Sequence, residues 1–252
     1  MTRWRRPLTY LVVAAVVLAA WQLLTSSGLV KPLLLSSPDL VWAALGRLWK
    51  QPANILGPIS VTLRETAVAF AAAAAIATPI GLVVGSSALL RRAYEPVLTT
   101  VSAVPLVVLY PVLAATLGVG SSSKVALGAL YAFFPVAIAT TRAAANVDNR
   151  LVIAAEAMGA TRAQYIRSVV LPATLSPLVV GMRVAMALAL VTIIAAEFIS
   201  GADGVGYELG TASQGLDTPN LFAWVVIACT LTIGVNVIFT LTTNALLKGI
   251  HR

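Results

Sequence analysis

Charge is what this 252-residue sequence has least of: 10% of its residues are Asp, Glu, Lys or Arg, against about 25% in an ordinary soluble domain. Hydrophobic residues make up 59%, and the mean hydropathy is +0.93. A water-soluble fold of this length cannot hide so much apolar surface, so the chain reads as one multi-spanning membrane domain. Histidine and cysteine occur once each. His251 is next to last and Cys229 lies in an apolar run, so neither an internal disulfide nor a His/Cys metal cluster is available. The nine acids are scattered, with no pair at helical spacing inside a span. A membrane-embedded enzyme needs a positioned nucleophile, acid pair or metal, and none is visible. Phosphate loops are absent too: 118-GVGSSSK-124 lacks the glycine before lysine and precedes an apolar span rather than following a strand. The chain is therefore expected to be non-catalytic, with no cofactor and no metal, and any ATP it depends on is handled by another subunit.

What is present is a series of apolar runs. A helix needs roughly 20 apolar residues to cross about 30 Å of hydrocarbon. Six runs qualify, near Leu8–Leu24, Val61–Gly85, Pro96–Leu117, Val125–Thr141, Pro172–Ile199 and Leu221–Leu247. In lipid these must be helices, because no backbone group can stay unpaired there. The expected fold is all-α and polytopic. The N-terminal 1–30 form a first membrane helix, whose apolar body runs too far for a cleaved signal peptide. Residues 31–59 form an extracytoplasmic interfacial helix and loop, 60–247 a five-helix core with cytoplasmic helices at about 143–171, and 248–252 a tail. With the N-terminus inside, eleven Lys and Arg fall on cytoplasmic segments, five outside, and Arg183 within the fifth span. That bias favours cytoplasmic N- and C-termini. It also accounts for the net charge of +8 without nucleic acid; the nonpolypeptide partner is membrane lipid.

In 37-SPDLVWAALGRLWK-50, Ser37 is placed to cap a helix with Pro38 and Asp39 in its first turn. Trp42 and Trp49 suit the headgroup zone. The outer loop 200–220 carries three acids, no base and several glycines, and reads equally as a flexible connection or as a contact for a ligand or partner. Glycines at 81 and 85 fit the close-packing pattern of helix pairs. The fifth span contains Arg183 and Glu197, 14 residues apart, about 21 Å along a helix and nearly four turns. A stripe through Arg183, Ala187, Leu190, Ile194 and Glu197 would suit a translocation path or a subunit seam. The plainer alternative is that each charge snorkels or caps a neighbouring helix end.

The polar interruption 142-RAAANVDNRLVIAAEAMGATRAQYIRSVVLP-172 is long for a turn between spans, and such loops tend to be functional. It predicts one helix up to Gly159, then a second from about Thr161, halted by Pro172, which opens the next span. The small residues of this elbow allow close approach of another protein. Here the chain resembles the membrane permease subunits of ABC importers, whose loop carries EAA-x3-G-x9-I-x-LP. This sequence reads 153-IAAEAMG-159, nine residues, then 169-VVLP-172, with Ile153 in place of the leading Glu and Val169 in place of Ile. Further likeness to the nitrate, taurine and alkanesulfonate branch lies in 35-LSSPDLVW-42, 60-SVTLRET-66, 96-PVLTTVSAVPLVVLYPVLAATLGVGSSSK-124, 183-RVAMALAL-190, 196-AEFIS-200 and 204-GVGY-207. The resemblance implies a type I ABC importer permease fold and a translocation path for a small anionic solute of sulfonate, taurine or nitrate type. It implies coupling to a cytoplasmic ABC ATPase, in two copies, through Ala157, Met158, Gly159, Ala160, Thr161 and Arg162. It implies as well a second permease forming a homodimer and an extracytoplasmic solute-binding protein. A permease for a pyrimidine-type vitamin precursor is the alternative within the branch. From another class, the alternative is an ion-coupled secondary carrier, although the paired broken helices typical of many such carriers are missing.

Overall fold

A computed structural model describes residues 5–250 as helices and their connections. The chain starts with α1 (Arg5–Ser26), α2 (Pro38–Trp49) and α3 (Ala53–Gly85). There follow α4 (Ala88–Ser102), a 3-10 turn (Leu106–Leu109), α5 (Tyr110–Leu117) and α6 (Ser121–Ala145). Next come α7 (Asn149–Ala157), α8 (Arg162–Tyr165), a π-helical turn (Ile166–Val170) and α9 (Leu171–Ser200), then α10 (Val205–Gln214) and α11 (Thr218–Ile250). No strand occurs among the described residues, which fits a chain whose backbone must satisfy itself segment by segment in lipid.

Among the described residues four helices are long and apolar enough to cross a membrane, and five if one bent pair counts as a single span. That pair, Ala88–Ser102 with Leu106–Leu117, is broken by 79° where one continuous run, Pro96–Leu117, was expected. The break falls before Pro105, which has no N–H to offer the preceding turn and disfavours helical backbone at Val104. α1 is 22 residues long; of its side chains, those described from Val12 onward are mostly exposed valine, alanine and leucine.

The centre of the molecule is α3, α6 and α9, joined by a core of Ala73, Ala77, Ala132, Val136, Ala137, Leu178, Ala185 and Ala189. Small side chains let the three backbones approach closely, which substitutes for the hydrophobic drive that lipid cannot supply. A Cβ at Gly81 would lie 2.6 Å from the Cβ of Thr140, and one at Gly85 would collide with the carbonyl of Thr141. On α9, Gly181 admits Ala139 of α6 in the same way. Both members of the 81/85 glycine pair thus face α6.

α2 buries Val41 and Ala44 against Ala223 of α11 and leaves Trp42 and Trp49 exposed. Ser37 holds the N-cap position in extended backbone, yet its side chain makes no cap bond. α3 begins at Ala53, so its 33 residues take in several positions expected in the preceding loop. The segment 200–220 is not wholly irregular either. It contains α10, whose Val205 and Leu209 pack with Trp224 of α11.

Candidate functional site

The interruption after α6 folds into the expected elbow. α7 is capped at its start by Asp148, whose carboxylate accepts from the Arg150 N–H at 2.9 Å. It ends at Gly159, which sits at φ +69°. The Ala160 N–H donates to the Ala155 carbonyl at 3.0 Å and the Gly159 N–H to that of Glu156 at 2.9 Å. This is the Schellman pair of bonds that a left-handed glycine permits. Two residues later Thr161 starts α8 with a full capping box: its hydroxyl accepts from the Gln164 N–H, and the Gln164 side chain returns a bond to the Thr161 N–H. The local sequence therefore fixes a sharp bend between two capped helices.

The bend projects outward. Ala157, Met158, Gly159, Thr161 and Arg162 are exposed and Ala160 half-buried; Met158 retains 79% of its accessible surface. Ile153, in place of the acid that the signature leads with, is exposed on α7. The root of the elbow is held firmly: Tyr165, Ile166 and Leu171 pack on Leu82 of α3, Ala144 of α6 and Val170. Pro172 does not halt the second helix. α8, the π turn and α9 follow one another without a gap from Arg162 to Ser200. The Leu171 N–H reaches back five residues to the Ile166 carbonyl. That wider turn makes room for a proline ring that would clash inside a regular α-helix. The elbow and the long helix α9 are thus mechanically one piece.

Along α9 the stripe residues have different surroundings. Leu190 and Glu197 are buried, while Arg183, Ala187 and Ile194 are half-buried. The Arg183 guanidinium reaches α11, donating from Nη2 to Thr243 Oγ1 at 3.3 Å and to Asn244 Oδ1. Glu197, 1% exposed, closes a clasp at the far end of the helix. Its Oε1 accepts from Thr62 Oγ1 at 2.8 Å and its Oε2 from the Gly206 N–H at 2.9 Å. Thr62 Oγ1 in turn accepts from the Val205 N–H at 3.0 Å. Two first-turn amides of α10, orphaned in any helix, are satisfied this way, and a carboxyl group beside a helix N-terminus is favourably placed. Gly204, at φ +110°, leaves no room for a Cβ against the Glu197 carboxylate. Nearby, Lys124 of α6 lies 2.7 Å from Glu65 of α3, both almost fully buried. Thr62, Glu65 and Lys124 went unmarked in the sequence. A signal was there, since Thr62, Glu65 and Thr66 form one polar face on an otherwise apolar helix.

Among the described residues the chain is an all-helical unit of apolar spans with a capped elbow projecting from the start of one long helix. Residues 77–252 match the family of binding-protein-dependent transport system inner membrane components, and the chain belongs to that family. It is an ABC importer permease subunit, a multi-pass protein of the inner membrane. Among its relatives is the taurine transport system permease protein TauC of Escherichia coli, 28% identical over 234 residues, which cover 89% of this chain and 85% of that one. A probable ABC transporter permease protein of Brucella melitensis biotype 1 is 30% identical over 213 residues, 84% of this chain and 85% of that one. In fold the chain is similar to one from the inward-facing MetNI methionine ABC transporter, with a TM-score of 0.68, 20% identity, and coverage of 80% of this chain and 99% of the other.

Proposed function

We propose that this permease couples to a cytoplasmic ABC ATPase through the elbow at Ala157–Arg162, and that it admits a small anionic solute of the sulfonate, taurine or nitrate type. The observation that carries the coupling is the contrast within the elbow. The Gly159 bend stands free, while its root is packed on α3 and α6 and runs unbroken into α9. A partner gripping Met158 and Gly159 therefore moves α9 as a rod, and α3 and α6 with it, rather than deforming a loop. Ile153, Ala157 and Met158 offer apolar contact there, and Arg162 and Arg167 a positive rim for acidic groups on the ATPase.

In this reading the N- and C-termini are cytoplasmic, in keeping with the distribution of Lys and Arg. Two copies of the chain, each with one ATPase, alternate between inward and outward openings. A loaded solute-binding protein outside supplies the differential affinity that such a switch needs. The anionic solute rests on the kinship with a taurine permease, since taurine carries a sulfonate.

The test is Gly159→Glu, at a position where a side chain meets open space but must adopt left-handed backbone and add a charge at the bend. Membrane insertion is expected to stay intact while solute-stimulated ATPase activity of the reconstituted complex is lost. Wild-type stimulation in that variant refutes docking at the elbow.

A further inference from the structure

Among the described residues Arg183 is a cation without a counter-ion. All nine acids of the chain lie among the described residues, and none places a carboxylate oxygen within 4.0 Å of its guanidinium. Its partners are neutral oxygens, Thr243 Oγ1 and Asn244 Oδ1, both approached from Nη2. Its Nε is buried and has no hydrogen-bond partner among the described residues. The cost of such a group inside a span is high enough that an arginine there faces protein or water rather than lipid.

The two α11 side chains hold the fork at one edge and leave the rest of it unengaged. Asn244 is exposed and Arg183 half-buried, so the pair opens onto the surface of the subunit rather than into its core. With Nη2 donating to both α11 side chains and Nε buried, the two N–H groups of Nη1 remain to meet an oxyanion oxygen by charge-assisted hydrogen bonds. We infer that Arg183, oriented by Thr243 and Asn244, is a charge-selecting station for the oxyanion head of the solute as it passes, a sulfonate or nitrate group. This deepens the permease reading above and rests on it. Arg183 touches the solute; Asn244 is a positioning residue that acts through Arg183.

The opposing reading is that Arg183 and Asn244 only staple α9 to α11, and Asn244→Asp separates the two. A carboxylate at 244 keeps or tightens the staple but gives the guanidinium a permanent counter-ion. The experiment measures uptake of radiolabelled taurine, methanesulfonate and nitrate by the complete transporter in vesicles, for wild type, Arg183→Gln, Arg183→Lys and Asn244→Asp. It records the ATPase activity of each complex alongside. Wild type is expected to take up at least one probe. Asn244→Asp and Arg183→Gln should lower that uptake at least about tenfold, as suits loss of one charge contact in a partly desolvated site, and basal ATPase activity should persist. Arg183→Lys should retain an intermediate rate, its charge kept and its fork lost. Uptake by Asn244→Asp within about twofold of wild type, a difference too small for a lost charge contact, overturns the inference and leaves the staple. Uptake of none of the three probes by wild type overturns it too. Failure of the coupling reading shows differently, as an elbow variant that hydrolyses ATP with normal stimulation.

Discussion

Replacing Thr62 by valine removes one hydroxyl and almost no volume, yet that hydroxyl is the middle link of the clasp between α3, α9 and α10. It accepts from the Val205 N–H and donates to Glu197, and the side chain is wholly buried. In Thr62→Val the Val205 amide and the Oε1 of Glu197 each lose the partner they have. Orphaning a buried polar group costs about 1–3 kcal/mol, so two cost about 2–6 kcal/mol. Since about 1.4 kcal/mol is tenfold in an equilibrium, α10 should detach from α3 at least about 30 times more often. Hydrogen–deuterium exchange of the purified complex, read by mass spectrometry on peptides spanning Gly204–Leu209, reports this opening at the Val205 and Gly206 amides. Thr62→Ser keeps the hydroxyl and should keep most of the protection. Equal exchange at Val205 in wild type and Thr62→Val would show that the clasp does not hold α10, and the energetic argument would fail.

The buried pair on α3 and α6 makes a second prediction. Lys124→Met strands Glu65 without its partner and should lower the stability of the complex by about 3–5 kcal/mol, whereas the double variant with Glu65→Leu should recover most of it; thermal unfolding of the four proteins gives the coupling, and additive losses would mean that the pair contributes nothing. Glu197→Ala leaves the Gly206 amide and the Thr62 hydroxyl without an acceptor, so exchange in α10 and loss of solute uptake should rise together. Unchanged uptake with a loosened α10 would make the clasp dispensable for transport.

The apolar helices were legible because lipid imposes one rule on every spanning residue, and the Gly159 elbow was legible because its caps are local: Asp148, Gly159, Thr161 and Gln164 act within a few residues. What escaped depends on geometry that hydropathy does not encode. Apolar residues run through Val104–Leu106 without a pause, so the 79° break is hidden in a run that reads as continuous. Pro172 reads as a stop, and only the π turn behind it shows how the helix carries on. α10 has few apolar positions among its glycines and so resembles a loop; it becomes a helix because Thr62 and Glu197, 135 residues apart, satisfy its first amides. Glu197 itself was picked out for its charge, and its carboxylate accepts from the first turn of α10, a contact that no local pattern around residue 197 announces.

These features converge on α9. Its 30 residues span about 45 Å at the helical rise. The root of the elbow is at one end, Arg183 faces α11 part-way along, and Glu197 grips α10 at the other. Gly181 locks the rod onto α6, and the clasp ties its far end to α3. A push on the proposed ATPase contact therefore reaches α10 through one continuous helix, with no chain of side-chain rearrangements required between them. By contrast, α11 keeps Ile233, Val237, Ile238 and Leu241 exposed and meets α9 at two places, at Arg183 through Thr243 and Asn244 and at Ile194 through Trp224, Ile227 and Leu231.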